Sequence, residues 1–177
     1  MGKPQTKRPP APEGDTAAPA GDGAPDHLTE AIELLFFAYR DFISDPDEIL
    51  IEYGFGRAHH RVVHFVGRNS GITVAELLDI LRITKQSLAR VLKQLIERGF
   101  IEQETGKQDR RQRMLFLTAT GRELAQRLEA PQRARVAAAL EKAGPGASTA
   151  WRTVLLALVN EEDRPEVETL IAKTPAG

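Results

Sequence analysis

The side chains best suited to chemistry in this chain are basic, amide and hydroxyl groups clustered shortly after Thr84. On a helix that begins there, the residues facing away from the apolar stripe are Lys85, Gln86, Ser87, Ala89, Arg90, Lys93 and Gln94. Arginine and glutamine can form paired hydrogen bonds with the edges of guanine and adenine, whereas lysine and serine more often hold phosphates. This face is suited to double-stranded DNA, although an ordinary solvated amphipathic helix also presents such residues.

The charge around this face is concentrated locally. Residues 82–113 contain nine lysines and arginines and four acidic residues, a net charge of +5, so the remainder of the chain carries −6. Local charge matters more than the formal total of −1 for attracting a polyanion. Three of these cations, Arg110, Arg111 and Arg113, fall in one short segment beside Asp109. The charge alone leaves open a merely solvated surface.

The elements that position these residues are two short helices with clear starts. Thr73 and Glu76 have capping-box spacing, which predicts a helix from Thr73 to about residue 82. Thr84 can cap the next helix, which Gly99 ends. Its inward stripe is Leu88, Val91, Leu92 and Leu95. Two capped helices joined by about three residues predict a helix-turn-helix.

A hairpin is predicted after the second helix. Residues 100–105 alternate between apolar or neutral and acidic side chains, and residues 114–117 are apolar with high strand tendency. The charged segment 106–113 connects them as a loop, here called the wing. An arginine-tipped wing beside a basic helix is suited to a minor groove while the helix occupies the major groove.

Helices flank this core on both sides. The apolar spacing of residues 27–44 predicts a helix whose wide apolar face needs its own core or a partner subunit to cover it, and residues 46–55 are predicted to form a link. A helix is expected over residues 57–68. Another is expected from Thr118 toward Ala143 with a kink or break at Pro131, followed by a helix capped by Ser148 and a short one with Pro165 in its first turn.

The rest of the sequence limits the domain organisation and the classes of function that fit this chain. Residues 1–26 hold six prolines, four glycines and five alanines, which predicts a disordered arm before one domain over 27–177. No apolar run reaches the roughly 20 residues that span a bilayer, and no signal peptide is recognisable, so a cytoplasmic protein without membrane contact is expected. Without cysteine, thiol chemistry is excluded. No catalytic triad, phosphate loop or carboxylate pair stands out, and neither an enzyme nor a cofactor is expected.

Several short motifs resemble the core of the MarR family of transcriptional regulators. They are Thr73-Val-Ala-Glu-Leu77, Ile83-Thr-Lys-Gln-Ser-Leu88, Arg90-Val-Leu, Leu95-Ile-Glu-Arg-Gly99, Asp109-Arg-Arg111 and Leu117-Thr-Ala-Thr-Gly121. The resemblance covers residues 55–125 well. It implies a mainly α fold with a small β-hairpin wing, a winged helix-turn-helix core over about 55–120, and dimerisation helices at about 27–44 and 119–173. Two residues depart from the family pattern: Leu78 stands where alanine is common, and Arg82 stands where the turn glycine is common.

The function that the resemblance implies is a homodimeric, sequence-specific regulator on a pseudo-palindromic operator. It also implies that Arg111 enters the minor groove from the wing tip while Asp109 orients the wing arginines. The predicted DNA-binding residues are Thr84, Lys85, Gln86, Ser87, Arg90, Lys93, Asp109, Arg110, Arg111 and Arg113. A winged-helix module that binds only protein is the alternative, but it has no need for so many exposed cations.

Three histidines suggest two further interpretations. His60 and His64 share a helical face, as metal ligands often do, but no third or fourth ligand can be identified and no bound metal is expected. The histidines and nearby aromatics could instead line a cavity for a small aromatic or anionic effector, or simply form core and dimer packing. The candidate pocket residues are Phe36, Tyr39, Phe55, His59, His60 and His64.

Overall fold

The computed structural model describes residues 26–106 and 112–172. The chain divides into two units, Met1–Phe36 and Phe37–Gly177. The elements are α1 (His27–Glu52), α2 (Arg57–Arg68), β1 (Ile72–Thr73), α3 (Val74–Leu81), α4 (Lys85–Glu97), β2 (Ile101–Thr105), β3 (Arg113–Leu117), α5 (Ala119–Ala143), α6 (Ala147–Leu158) and α7 (Arg164–Ala172). The predicted fold class, mainly helical with a β-hairpin wing, is confirmed.

The first helix is longer than the sequence predicts. Instead of ending near residue 44, α1 continues through Pro46 to Glu52, so the predicted link over 46–55 is wrong for its first part. Pro46 has no N–H to offer the carbonyl of Phe42 one turn earlier. The side-chain amide of Gln132 on α5 donates to that oxygen at 3.3 Å. Pro46 and Leu50 are both buried, and this packing offsets the cost of a proline inside the helix.

The core lies in the second unit, around the helix-turn-helix and the sheet. The strands form one antiparallel sheet in the order β1, β3, β2. The two-residue strand β1 was not predicted, because a pair of residues is too short to show strand periodicity. The apolar side chains with almost no exposure are Leu50, Val62, Val63, Val66, Leu77, Leu88, Leu95, Leu115, Leu124 and Leu128. Each buried leucine contributes roughly 1.5–3 kcal/mol by leaving water.

The C-terminal helices correct two predictions. Helix α5 is uninterrupted from Ala119 to Ala143 with Pro131 inside it, so of the predicted kink or break, the break is absent. Helix α6 starts after Gly146, which has a positive φ of 82°, and no side chain caps it, so Ser148 is not the cap. The end of α5 at Ala143 and the position of Pro165 in the first turn of α7 are confirmed.

Two stretches of helix leave large apolar side chains uncovered. In α1 these are Leu28, Ile32, Leu34, Leu35, Phe36, Phe37 and Tyr39, each 47–74% exposed. Helices α6 and α7 contain no buried residue at all, and they expose Trp151, Val154, Leu158 and Ile171. Among the described residues, none of the helices combines the length and apolar character needed to cross a membrane.

Candidate nucleic-acid interface

The helix α4 is fixed at its start by the predicted cap. Thr84 has extended backbone dihedrals, and its Oγ1 accepts a hydrogen bond from the N–H of Ser87 at 3.1 Å. The same hydroxyl donates to Oγ of Ser87 at 2.9 Å. The cap thereby pairs a first-turn amide that has no partner within the helix, which stabilises the helix by about 1 kcal/mol. Thr84 and Ser87 are therefore engaged at the tip of α4, next to the exposed Lys85 and Gln86.

The burial of α4 orients its outer face. Leu88, Val91, Leu92 and Leu95 are all buried, as predicted. The seven residues predicted to face outward are exposed: Lys85, Gln86, Ser87, Ala89, Arg90, Lys93 and Gln94. Lys93 pairs with Glu97 one turn later at 3.7 Å, while no ion pair involves Lys85 or Arg90 among the described residues. This outer face can thus offer cations and amides to a polyanion.

The turn before α4 holds an arginine in an unusual conformation. Arg82 ends α3 with φ 51° and ψ 43°, the left-handed region that favours glycine. Its guanidinium forms an ion pair with Asp163, which lies just before α7. Arg61 of α2 donates to the last carbonyl of α3, that of Leu81, at 3.0 Å. The turn therefore places a left-handed residue at a position without glycine, and side chains of distant elements contact it.

Strand β3 adds one exposed cation, Arg113, whereas β2 carries the exposed Glu102 and Glu104. Strands β2 and β3 pair in antiparallel register with Thr105 opposite Arg113, and Nη1 of Arg113 donates to Oγ1 of Thr105 at 2.7 Å. The N–H of Gly106 donates to the carbonyl of Gln112 at 3.0 Å, which closes the described end of the hairpin. The predicted wing residues Asp109, Arg110 and Arg111 lie outside the described residues.

A groove of about 690 Å³ runs between α3, α4 and the wing strands. Among the described residues, its lining includes three cations, Lys85, Lys93 and Arg113, together with the amides of Gln103 and Gln112, and no carboxylate. Ala89 lies between the two lysines and leaves the groove open, because its side chain is small. The geometry suits an extended anion such as a sugar-phosphate backbone, because three cations and two amides lie together in the described part of the lining.

His59 provides a contact that the sequence did not suggest. It is buried on α2, and its ring stacks on Phe55 with centroids 4.5 Å apart and planes 11° apart. Its Nε2 lies 2.6 Å from Oε1 of Gln94 on α4. The two residues are separated by 35 positions in sequence, so no local pattern could pair them.

The other histidines lie farther along α2. Desolvation lowers the pKa of the half-buried His60, and the neighbouring His64 adds to the shift. Desolvation also lowers the pKa of His64, whose side chain is more exposed. In the described part of the chain, no group of three or more histidine and carboxylate side chains is arranged to hold a metal ion.

The predicted effector residues have different environments. Phe55 and His59 are buried, whereas Phe36 and Tyr39 are 69% and 58% exposed. None of the six lines the groove beside α4 or a second cavity of about 610 Å³ between α3 and α7. Their role as an effector pocket therefore stays a prediction.

Comparison with known proteins gives consistent similarities. A profile described as MarR family matches residues 53–112. The HTH-type transcriptional regulator PetP of Rhodobacter capsulatus is 44% identical over 160 residues, which is 88% of this chain and 96% of the relative.

Two solved structures show the same fold at lower identity. A MarR family transcription regulator designated SP03579 superposes with a TM-score of 0.64 at 22% identity, covering 75% of this chain and 88% of its own. FabT of Streptococcus pneumoniae, solved in complex with DNA, superposes with a TM-score of 0.66 at 19% identity, covering 74% and 94%.

Proposed function

This chain belongs to the MarR family of transcriptional regulators, and we propose that it binds a pseudo-palindromic DNA operator as a homodimer. In this proposal α4 of each subunit is the recognition helix in the major groove. The observation that carries it is the outer face of α4, on which Lys85, Gln86 and Arg90 are all exposed beside a groove whose described lining holds no carboxylate.

In this proposal, different side chains of the recognition helix contact the bases and the phosphate backbone. Arg90 and Gln86 lie one turn apart on α4, and their planar side chains can form paired hydrogen bonds with base edges. Lys85 and Lys93 line the groove toward the wing, where a phosphate strand would run. Arg90 would therefore contribute to sequence preference, and Lys85 to affinity for any duplex.

The uncovered apolar side chains support a homodimer. Monomeric soluble proteins rarely expose large contiguous apolar patches, and α6 and α7 expose Trp151, Val154, Leu158 and Ile171 without burying any residue. A two-fold pairing of identical subunits would cover such faces. It would also set two recognition helices about 34 Å apart, one turn of DNA, which requires two-fold symmetric DNA.

The wing adds a minor-groove contact to the proposal. Arg111 would enter the minor groove, where a guanidinium gains from concentrated negative potential, and Asp109 would brace the wing arginines. This role rests on the sequence, because both residues lie outside the described part of the chain. Arg111→Ala should weaken binding by roughly 1–3 kcal/mol, and Asp109→Ala should weaken it too despite removing a negative charge.

An effector would act by changing the spacing of the two recognition helices. A small aromatic or anionic molecule near Tyr39, Phe55 and His60 can shift DNA affinity only through its preference for one spacing, typically by about 1–3 kcal/mol. Such regulation is part of the proposal and is independent of DNA binding itself.

The experiment that tests the proposal uses a duplex selected by the wild-type protein from a random library. Arg90→Ala should lose about 1–3 kcal/mol on the selected duplex and prefer it less over a scrambled one. Lys85→Ala should weaken both duplexes alike and make the salt dependence shallower. Arg133→Ala, which removes an exposed arginine of α5, is the matched control and should bind normally.

Failure to enrich any duplex would reject DNA binding and favour a winged-helix module that recognises protein. Equal losses for Arg90→Ala and Arg133→Ala would remove α4 from the mechanism.

A further inference from the structure

The ring of His59 has a defined proton position because of its backbone neighbour. The N–H of Gly56 donates to Nδ1 of His59 at 3.1 Å. A ring nitrogen that accepts a hydrogen bond carries no proton, so the proton of the neutral imidazole lies on Nε2. That nitrogen then donates to Oε1 of Gln94, 2.6 Å away on α4.

Packing holds this ring in place. His59 is 9% exposed and stacks on the ring of Phe55. The guanidinium of Arg98, at the end of α4, lies 4.4 Å from the centre of the Phe55 ring and donates to the carbonyl of Tyr53. The stack therefore ties the end of α4 to the start of α2, and His59 meets Gln94 with little freedom to rotate.

The side-chain amide of Gln94 has two N–H donors, and its oxygen accepts the hydrogen bond from His59. The Gln94 side chain is exposed, and within residues 26–106 and 112–172 no acceptor is found for its amide nitrogen. It lies one turn after Arg90 and two turns after Ser87, so it shares their outer face. Because its oxygen is turned toward the buried His59, Gln94 presents its N–H donors outward, whereas pairing with adenine needs a donor and an acceptor side by side.

We propose that His59 is a positioning residue that turns the Gln94 amide outward, and that Gln94 donates to a phosphate oxygen at the rim of the major groove. This inference rests on the proposed function. Bases are contacted mainly by the first turns of a recognition helix, and Gln94 lies nine residues beyond Lys85, about 14 Å along the axis. Phosphate oxygens offer only acceptors, which match an amide whose N–H donors face outward.

The first test measures binding of the selected duplex by variants at both positions. Gln94→Ala should weaken binding about three- to tenfold per half-site, the value of one neutral hydrogen bond. His59→Phe keeps a ring against Phe55 but removes the donor, and it should weaken binding similarly. The double variant, with both Gln94→Ala and His59→Phe, should bind the duplex no more weakly than the single variant with the larger loss. Gln126→Ala, which removes an exposed glutamine of α5, is the matched control.

Gln94→Glu separates positioning from simple packing without altering the core. The carboxylate can still accept from His59, so a purely structural link would survive and DNA affinity would be unchanged. If the group faces a phosphate, the added negative charge should weaken binding more than Gln94→Ala does. Because glutamine displaces no counterion, Gln94→Ala should also leave the salt slope unchanged, unlike Lys85→Ala.

Methylphosphonate substitution along the selected duplex locates the contact. Replacing one particular phosphate in each half-site should weaken binding by the wild-type protein and leave binding by Gln94→Ala unchanged. The inference is overturned if Gln94→Ala and Gln94→Glu bind like wild type while Lys85→Ala is impaired, a result that leaves the proposed function intact. If the wild-type protein binds no duplex, both fail together.

Discussion

Gly121 in the first turn of α5 should tolerate no larger residue. It is buried, and a Cβ built at this position would lie 2.0 Å from the carbonyl oxygen of Phe100 and 3.0 Å from its carbon. Normal carbon contacts require about 3.5 Å, so the first turn of α5 and the start of β2 would have to separate by more than about 1 Å.

The cost of that separation follows from the bonds at the junction. The N–H of Thr118 donates to the carbonyl of Phe100 at 3.1 Å, and its hydroxyl donates to that of Gly99 at 2.6 Å. Overpacking costs typically 1–3 kcal/mol, and a weakened hydrogen bond adds about 1 kcal/mol. The higher helix propensity of alanine over glycine offsets about 1 kcal/mol of this cost. Gly121→Ala should therefore lower the free energy of unfolding by about 1–3 kcal/mol.

Gly67→Ala is the matched control, since it also adds one methyl group inside a helix. Its Cβ would approach only Cδ1 of Leu117, at 2.9 Å, the far end of a flexible side chain. The propensity gain should offset that contact, leaving stability within about 1 kcal/mol of wild type. Urea unfolding followed by circular dichroism, at one fixed protein concentration, compares the two variants. Equal midpoints for Gly121→Ala and Gly67→Ala would refute the close-approach argument.

Three further predictions concern pH, the recognition-helix cap and the turn. Because desolvation lowers the pKa of His60 and His64 in the folded state, the unfolded chain binds protons first, so stability should fall as pH drops below about 6.5. Urea midpoints measured between pH 8 and 5.5 should show this fall, and an equally steep fall of the midpoint with pH in His60→Gln would count against it. Thr84→Ala should cost about 1 kcal/mol and Thr84→Ser much less, by the same unfolding assay, whereas equal stability of the two would deny the cap. In a double-mutant cycle, Asp163→Ala should cost at most about 1 kcal/mol in wild type and less in Arg82→Gly, where only the hydrogen bond from Asn160 is lost. Equal losses in both backgrounds would mean that the ion pair does not stabilise the turn.

Local signals account for the parts that the sequence predicts well. The Thr73 capping box, the Thr84 cap and the apolar stripe of α4 each arise within a few residues, and all three are present. Helix α2 also begins and ends where predicted, at Arg57 and Arg68.

Tertiary contacts account for what the sequence could not show. The extension of α1 past Pro46 depends on Gln132, about 90 residues away, which satisfies the carbonyl that proline leaves free. The left-handed Arg82 has its partner at Asp163, and His59 has its partner at Gln94. The exposed face of α4 was predictable because its inward stripe is local, whereas the links that hold that face in place were not.

The salt dependence of operator binding tests the central proposal most directly. Fluorescence anisotropy of the wild-type protein on its selected pseudo-palindromic duplex gives the dissociation constant at a series of salt concentrations. If two subunits together neutralise roughly eight phosphates, the logarithm of the association constant should fall against the logarithm of salt concentration with a slope near −7. An affinity that does not change with salt would contradict binding by the basic face of α4.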